Sequence, residues 1–229
     1  MNSKSYHVSS PSAIWNDEEN KLFVYVHAPN TKTIWTESID GLNFTYGGVA
    51  VHYDDLSAKI GYSCKAASYA RVYKYTIPKI GNKYAMNVSA PENGKGDIVK
   101  KTIALATSVD GKNWIVRSGS VIDDGNEGKD FQCLDAHYFP WKNKHYFVYS
   151  MRSRTNARTD VVELHISEVD NNWENQVYKG VFYEGGSEYP DYNNVRGNTY
   201  VTIGNNLYLV YEAGEKHNAR IALAKIAVD

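Results

Sequence analysis

Apolar and polar residues alternate in short runs along most of the chain. Alternating runs bounded by Gly, Asn, Asp or Pro are typical of antiparallel β-hairpins. No segment has a convincing 3.6-residue period, so we expect few helices. Four predicted hairpins are Ser12–Trp15 with Leu22–His27, Ala70–Tyr75 with Lys83–Val88, Ala136–Trp141 with His145–Ser150, and Asn198–Ile203 with Leu207–Glu212.

A short turn motif recurs after a further alternating run in successive units. Ser38–Phe44 matches Ser108–Trp114, and Ser167–Trp173 is a looser third copy, at intervals of roughly 60 to 70 residues. A fourth run, Arg220–Asp229, matches the run before the second copy and then stops. The repeat predicts an all-β fold, a β-propeller of four-stranded antiparallel blades, with four such units visible and the last one lacking its outer strand.

The repeat also predicts how the blades divide the chain. We expect a single β-propeller domain over residues 1–229, with blades at approximately 1–52, 66–122, 130–183 and 195–229. The last unit lacks its outer strand, and we hypothesise that Asn2–Val8 supplies it. The acids of the repeated turn are predicted to be structural, because Asp side chains bond the neighbouring backbone in tight turns. They are Asp40, Asp110 and Asp170.

Composition and charge narrow the classes of partner. The net charge is −1 without a long run of Lys or Arg, which argues against nucleic acid or an anionic membrane surface as partner. The most apolar stretches are too short to span a bilayer, so no membrane segment is predicted. No apolar signal-peptide core follows Met1, so the chain as given is expected to be cytoplasmic or already trimmed. The 19 Tyr residues fit strands, and their flat rings also suit a saccharide site.

No metal or cofactor is predicted. Cys64 and Cys133 lack a metal-ligand or redox spacing and are expected to be free buried thiols, with one disulfide as the alternative. The histidines show neither HxH nor HExxH spacing. A GxSxG nucleophile elbow, a phosphate-binding glycine loop and a dinucleotide fingerprint are also absent from the sequence. These absences remove the common esterase-like hydrolase, kinase and dehydrogenase interpretations.

The predicted strand directions select one face of the propeller for chemistry. Residues at the start of strand 1 and the end of strand 2 in each blade should line a central pocket on the top face, where the long loops lie. Paired carboxylates there could act as acid and as base or nucleophile, and Arg could bind sugar hydroxyls or carboxylates. The alternative for each residue is that it only holds neighbouring loops. The candidate catalytic residues are Asp135, Glu212 and Glu215, and the candidate substrate-binding residues are His7, His27, Tyr69, Arg71, His137, Arg152 and Arg196.

Several motifs carry a family resemblance. His7–Pro11, followed by Leu22–His27 and Ser38–Phe44, resembles one blade of uncharacterised bacterial members of the five-bladed propeller superfamily of arabinanases, xylosidases and invertases. Ser68–Tyr75 resembles the start of the next blade, and Tyr208–Glu215 with Ile221–Ile226 resembles the last one. The motifs are short, but their order covers most of the chain. The resemblance implies a β-propeller of the five-bladed type, with four blades or four plus part of one visible in this chain, and a carbohydrate as partner.

Two departures from the superfamily leave catalysis open. In its catalytic members an Asp-Pro pair opens a blade and the Asp is the general base, whereas this chain has Ser10-Pro11. Val195–Asn198 stands where an Arg-Asp-Pro would be similar. The relatives also carry another blade before the point matching His7, so we expect a fragment, a four-bladed variant, or a ring that closes with a partner chain as a homo-oligomer. The leading hypothesis is a glycoside-hydrolase-like propeller; the alternatives are a non-catalytic carbohydrate-binding propeller and a protein-binding scaffold.

Overall fold

The computed structural model describes residues 7–94, 99–123, 131–153, 162–188, 190–191, 194–204, 206–214 and 218–226. Within these residues the chain forms antiparallel sheets and one short helix. The fold divides into two compact units, Met1–Lys95 with Val99–Ile122 and Gly96–Ile98 with Asp123–Asp229. We call them the N-terminal and C-terminal units. No helix among the described residues is long and apolar enough to cross a membrane.

The N-terminal unit contains two four-stranded blades. Each is a meander in which every strand pairs with the next along the chain. The first blade consists of β1 (Ser9–Asn16), β2 (Lys21–His27), β3 (Lys32–Ser38) and β4 (Thr45–His52). The second consists of β5 (Ser68–Tyr73), β6 (Tyr84–Pro91), β7 (Lys101–Ser108) and β8 (Ile115–Ile122).

The C-terminal unit contains one four-stranded blade and one three-stranded blade. The third blade consists of β9 (Phe131–Trp141), β10 (Lys144–Ser153), β11 (Val162–Val169) and β12 (Gln176–Tyr183). The fourth consists of β13 (Val195–Ile203), β14 (Asn206–Ala213) and β15 (Arg220–Ile226). The predicted antiparallel propeller blades are confirmed, including the shortened last one. The single-domain organisation stays a prediction, and residues 2–6 of the hypothesised closing strand lie outside the described residues.

One helix, α1 (Tyr53–Ile60), lies between the first and second blades. A capping box begins it, because the His52 N–H donates to Asp55 and the His52 ring accepts from the backbone. Gly61 ends it with a left-handed φ of 83°. Periodicity could not predict this helix because only Leu56 on it is fully buried.

The structural role of the repeated turn acids is confirmed. Oδ1 of Asp110 accepts hydrogen bonds from the backbone N–H groups of Lys112 and Asn113, and its Oδ2 accepts from the Asn113 side chain. Asp40 makes the same set of bonds in the first copy. Burial alone would raise the pKa of Asp110, but these hydrogen bonds outweigh it and lower the pKa to about 2.

Each unit has its own apolar core. In the N-terminal unit Phe23, Tyr25 and Trp35 pack with residues of the second blade, and the Tyr25 hydroxyl donates to the Gly111 carbonyl at 2.5 Å. In the C-terminal unit Val148, Leu209 and other residues of both blades form the core. Neither Cys64 nor Cys133 forms a disulfide, and both are buried, as predicted.

Candidate functional site: the blade bulges and the acid pair

Every blade carries a β-bulge near the start of its first strand. In the first blade Ser9 pairs with His27 and Ser12 with Tyr25, so the first strand has one residue more than its partner. The other three blades show the same shift of register. The first bulge residue has a left-handed backbone in all four blades. These residues are Ser10 (φ 55°), Tyr69 (φ 51°), Asp135 (φ 49°) and Gly197 (φ 54°).

A left-handed backbone is costly for residues other than Gly. Such a conformation costs about 1–3 kcal/mol and is found preferentially at functional sites. Tyr69 is the most unusual of the four because it is bulky. The repeated bulge therefore marks the same region of each blade that the sequence predicted for the site.

Asp135 and Glu212 meet beside Gly197 in the C-terminal unit. A Cβ atom added to Gly197 would lie 3.5 Å from Oδ2 of Asp135 and 3.8 Å from Oε2 of Glu212. The two carboxylate oxygens are therefore no farther apart than the sum of these distances. That bound includes the ~5–5.5 Å separation of retaining glycosidases and the shorter part of the ~6.5–9.5 Å range of inverting enzymes.

The two acids have different surroundings. Asp135 is only 5% exposed. Glu212 is partly exposed and accepts a charge-assisted hydrogen bond from Nε of Arg196 at 2.7 Å. The Gly197 N–H donates to Oγ of Ser150 at 3.4 Å, which ties the bulge to β10. One predicted Arg and two predicted acids are thus brought together around a residue without a side chain.

A second polar cluster surrounds His27 in the N-terminal unit. The Tyr69 backbone N–H donates to Nδ1 of His27 at 3.4 Å, which places the ring proton on Nε2. Nε2 then donates to Oγ of Ser9 at 2.9 Å, and Oγ lies 3.1 Å from Nε2 of His7. Burial, followed by the charges of His7 and Arg71, lowers the pKa of His27 to about 4. His27 is therefore a neutral imidazole at physiological pH.

Arg71 contacts backbone carbonyls of two blades. Its Nη1 lies 3.2 Å from the Ser10 carbonyl and 3.3 Å from the Ala70 carbonyl, next to the first two bulges. These bonds are those of a residue that holds loops, which was the alternative to its predicted role as a substrate anchor.

The remaining predicted residues are more scattered. His137 lies on β9 opposite Val148, and Arg152 lies on β10 opposite Val162; both are partly exposed. Glu215 lies outside the described residues.

Sequence reasoning missed a buried acid in the link before β13. Asp191 is 5% exposed and accepts hydrogen bonds from the hydroxyls of Tyr183 and Tyr211, both at 2.8 Å. Its carbonyl accepts from the N–H groups of Asn194 and Gly214. This network anchors the chain that leads into Arg196 and Gly197. Two Tyr residues from separate strands give no sequence signal for it.

The described chain is similar to solved glycoside hydrolase structures. A thermostable family-43 glycoside hydrolase has a TM-score of 0.75 at 16% identity, over 97% of this chain and 69% of that one. The α-L-arabinofuranosidase from Lactobacillus brevis has a TM-score of 0.70 at 12% identity, over 99% of this chain and 70% of that one. This chain therefore has the fold of the β-propeller glycoside hydrolases. The propeller also matches the endo-arabinase from Bacteroides thetaiotaomicron VPI-5482, with a TM-score of 0.68 at 14% identity over 96% of this chain and 75% of that one.

Sequence comparison gives a different result from structure comparison. No family model matches it, and no curated protein is significantly similar to it. The resemblance inferred from the motifs is therefore confirmed for the propeller fold.

Proposed function

We propose that this propeller binds and hydrolyses a carbohydrate, with Asp135 and Glu212 as its acid pair. The observation that carries the proposal is the position of both carboxylates beside Gly197, close enough that the upper bound on their separation includes the range of retaining glycosidases. Asp135 occupies, in the third blade, the bulge position that Ser10 occupies in the first. It therefore supplies a carboxylate at the blade position where the superfamily's catalytic members carry theirs. There the Asp is the general base, whereas the ion pair between Arg196 and Glu212 leads us to the opposite division of roles in this chain.

The surroundings suggest a role for each acid. The guanidinium of Arg196 suits an ionised Glu212, which we assign as base or nucleophile. Asp135 is then the general acid that protonates the leaving oxygen. Arg196 is a positioning residue, because its Nε is bonded to Glu212.

Hydrolysis of arabinose-containing substrates is the first test, because two of the similar structures are an α-L-arabinofuranosidase and an endo-arabinase. We expect release of 4-nitrophenol from 4-nitrophenyl α-L-arabinofuranoside, or of sugar from arabinan. Asp135→Asn and Glu212→Gln should each lower kcat at least 100-fold while the melting temperature stays within a few degrees. Glu37→Gln is the matched control, because Glu37 is also ion-paired at 2.7 Å, to Lys21, on another blade. Equal activity in all three variants would contradict the assignment.

A non-catalytic carbohydrate-binding propeller is the second candidate. It is favoured by Ser10 at the first bulge and by the Arg196 contact, which engages one of the two acids. The two functions separate in one experiment. Saccharide-dependent rises in melting temperature without turnover, across a panel of arabinan, xylan and sucrose, would support binding alone.

A further inference from the structure

The third blade carries an aromatic groove far from the acid pair. The groove has a volume of about 480 Å³, which lies in the range of small-molecule sites. Trp141 on its rim is six residues along β9 from Asp135, or about 20 Å in an extended strand. We call it the Trp141 groove. Its other principal residues are Phe139, Lys144, Tyr146, Glu168 and Lys179.

Strand register builds the floor of the groove. Phe139 pairs with Tyr146, and Tyr146 pairs with Glu168, so the three residues form one row across β9, β10 and β11. Trp141 pairs with Lys144 in the next row. The Phe139 ring stacks on Tyr200 at 4.6 Å and lies nearly parallel to the Trp141 ring at 6.1 Å. The Phe139 and Tyr146 rings are tilted by 36° to each other. The floor is therefore mainly aromatic and fixed by packing, and its single ring faces suit a pyranose ring.

The charges at the rim are unequal. Nζ of Lys144 and Nζ of Lys179 both lie 3.1 Å from the same oxygen of Glu168. Two ammonium groups thus share one carboxylate, and Nζ of Lys142 lies 5.9 Å from the centre of the Trp141 ring, so positive charge exceeds negative charge beside the aromatic floor. Hydrogen bonds from Lys179 and Lys144 lower the pKa of Glu168. Its carboxylate therefore stays ionised and counts as one negative charge at the rim.

We propose that the Trp141 groove is a second saccharide site, for a sugar that carries one anionic group. The ring packs on Trp141 and Tyr146, and the anionic group bonds to Lys144 and Lys179 in place of part of the Glu168 contact. A carboxylate and a phosphate share this chemistry, so a uronate and a sugar phosphate are both suitable. The proposal does not depend on hydrolysis at Asp135 and Glu212.

The test compares three sugars with the same ring: galacturonate, galactose and galactose 6-phosphate. Each is titrated into the 15N-labelled chain, and the indole N–H resonance of Trp141 is identified by its loss in Trp141→Ala. We expect galacturonate or galactose 6-phosphate to shift this resonance saturably at millimolar concentration, with galactose at least 10-fold weaker. Binding should weaken in 0.5 M NaCl.

Two variants and a control make the test specific. Lys179→Gln should remove the preference for the anionic sugars and leave weak binding of galactose. Trp15→Ala changes an exposed Trp on the first blade and should leave the titration unchanged. Asp135→Asn should also leave it unchanged, so a failure of the proposed hydrolysis stays distinguishable from a failure at the groove.

Three results would overturn the proposal. The first is that none of the sugars binds, and the second is that galactose binds as tightly as the anionic sugars. The third is self-association of the chain in sedimentation experiments that Trp141→Ala abolishes, because the groove would then be a contact between copies.

Discussion

Arg196 and Glu212 face each other across β13 and β14, with Nε of Arg196 2.7 Å from Oε1 of Glu212. Their side chains are 26% and 40% exposed, so water screens the pair. Such pairs contribute about 0–1 kcal/mol to stability. The pair therefore orients the Glu212 carboxylate more than it stabilises the fold.

We predict that Arg196→Met lowers the free energy of unfolding by less than about 1 kcal/mol but lowers kcat/KM on any hydrolysed glycoside at least 10-fold. Urea denaturation measures the first effect and initial rates the second. Arg196→Lys should recover part of the activity because it restores the charge without the fixed geometry of the guanidinium. Lys21→Met breaks a pair of equal length and is the control for stability. A loss of stability above about 2 kcal/mol would show that Arg196 is mainly structural.

The left-handed bulge at Gly197 can be tested separately from the space around it. Gly197→Ala places a methyl group at ordinary contact distances, 3.5 Å from Asp135 and 3.8 Å from Glu212, so its cost comes from the backbone. We expect a loss of about 1–2 kcal/mol in the free energy of unfolding. Gly186→Ala is the matched control, because Gly186 has open space around it and no left-handed φ. Equal losses in the two variants would exclude strain as the cause.

The turn acid Asp110 should make stability depend on acid pH. Its pKa is about 2 in the folded chain and ~3.9 in an unfolded one. A lowered pKa of this kind contributes stability above pH ~4 that is lost as the pH falls toward ~2. Asp110→Ala should therefore cost about 1–3 kcal/mol at pH 7 and less at pH 2. Chemical denaturation at several pH values measures this. Asp110→Asn keeps an acceptor oxygen, so a loss as large as that of Asp110→Ala would contradict a role for its hydrogen bonds.

His27 should make stability depend on pH in a higher window. Its pKa is about 4 when folded and ~6.5 when unfolded, so the unfolded chain binds the extra proton first. Stability is complete above pH ~6.5 and decreases as the pH falls toward 4. The difference between the wild type and His27→Gln should reproduce this slope. An NMR titration of the His27 ring with a midpoint near 6.5 would show that burial does not act on it as inferred.

Much of the fold could be predicted because blade strands alternate and their turns repeat. The alternation in Leu22–His27 or His145–Ser150 is enough to locate a strand within a few residues. Helix α1 could not be predicted, because a helix that buries only Leu56 has almost no period to detect.

The candidate site was predictable only in part. Asp135 and Glu212 were selected because they lie at the start of strand 1 and the end of strand 2 in their blades. In the structure both lie beside Gly197. The bulge position that recurs in all four blades could not be found from the sequence. Its residues, Ser10, Tyr69, Asp135 and Gly197, share no side-chain property. That position is defined by the backbone φ angle and the strand register, and neither of them requires a particular residue type. The Trp141 groove was hidden because its aromatic residues are indistinguishable from ordinary strand residues.

The four bulges separate the geometry of a functional position from its chemistry. The same left-handed backbone conformation occurs with a hydroxyl, a phenol, a carboxylate or no side chain. The side chain at this bulge position can therefore be changed while the backbone stays the same. Ser10→Asp, for example, introduces an acid at a bulge position that already has a left-handed φ. Asp tolerates such a φ better than Ser does. New reactivity could be installed in this propeller blade by blade, with single substitutions and without redesigning a loop.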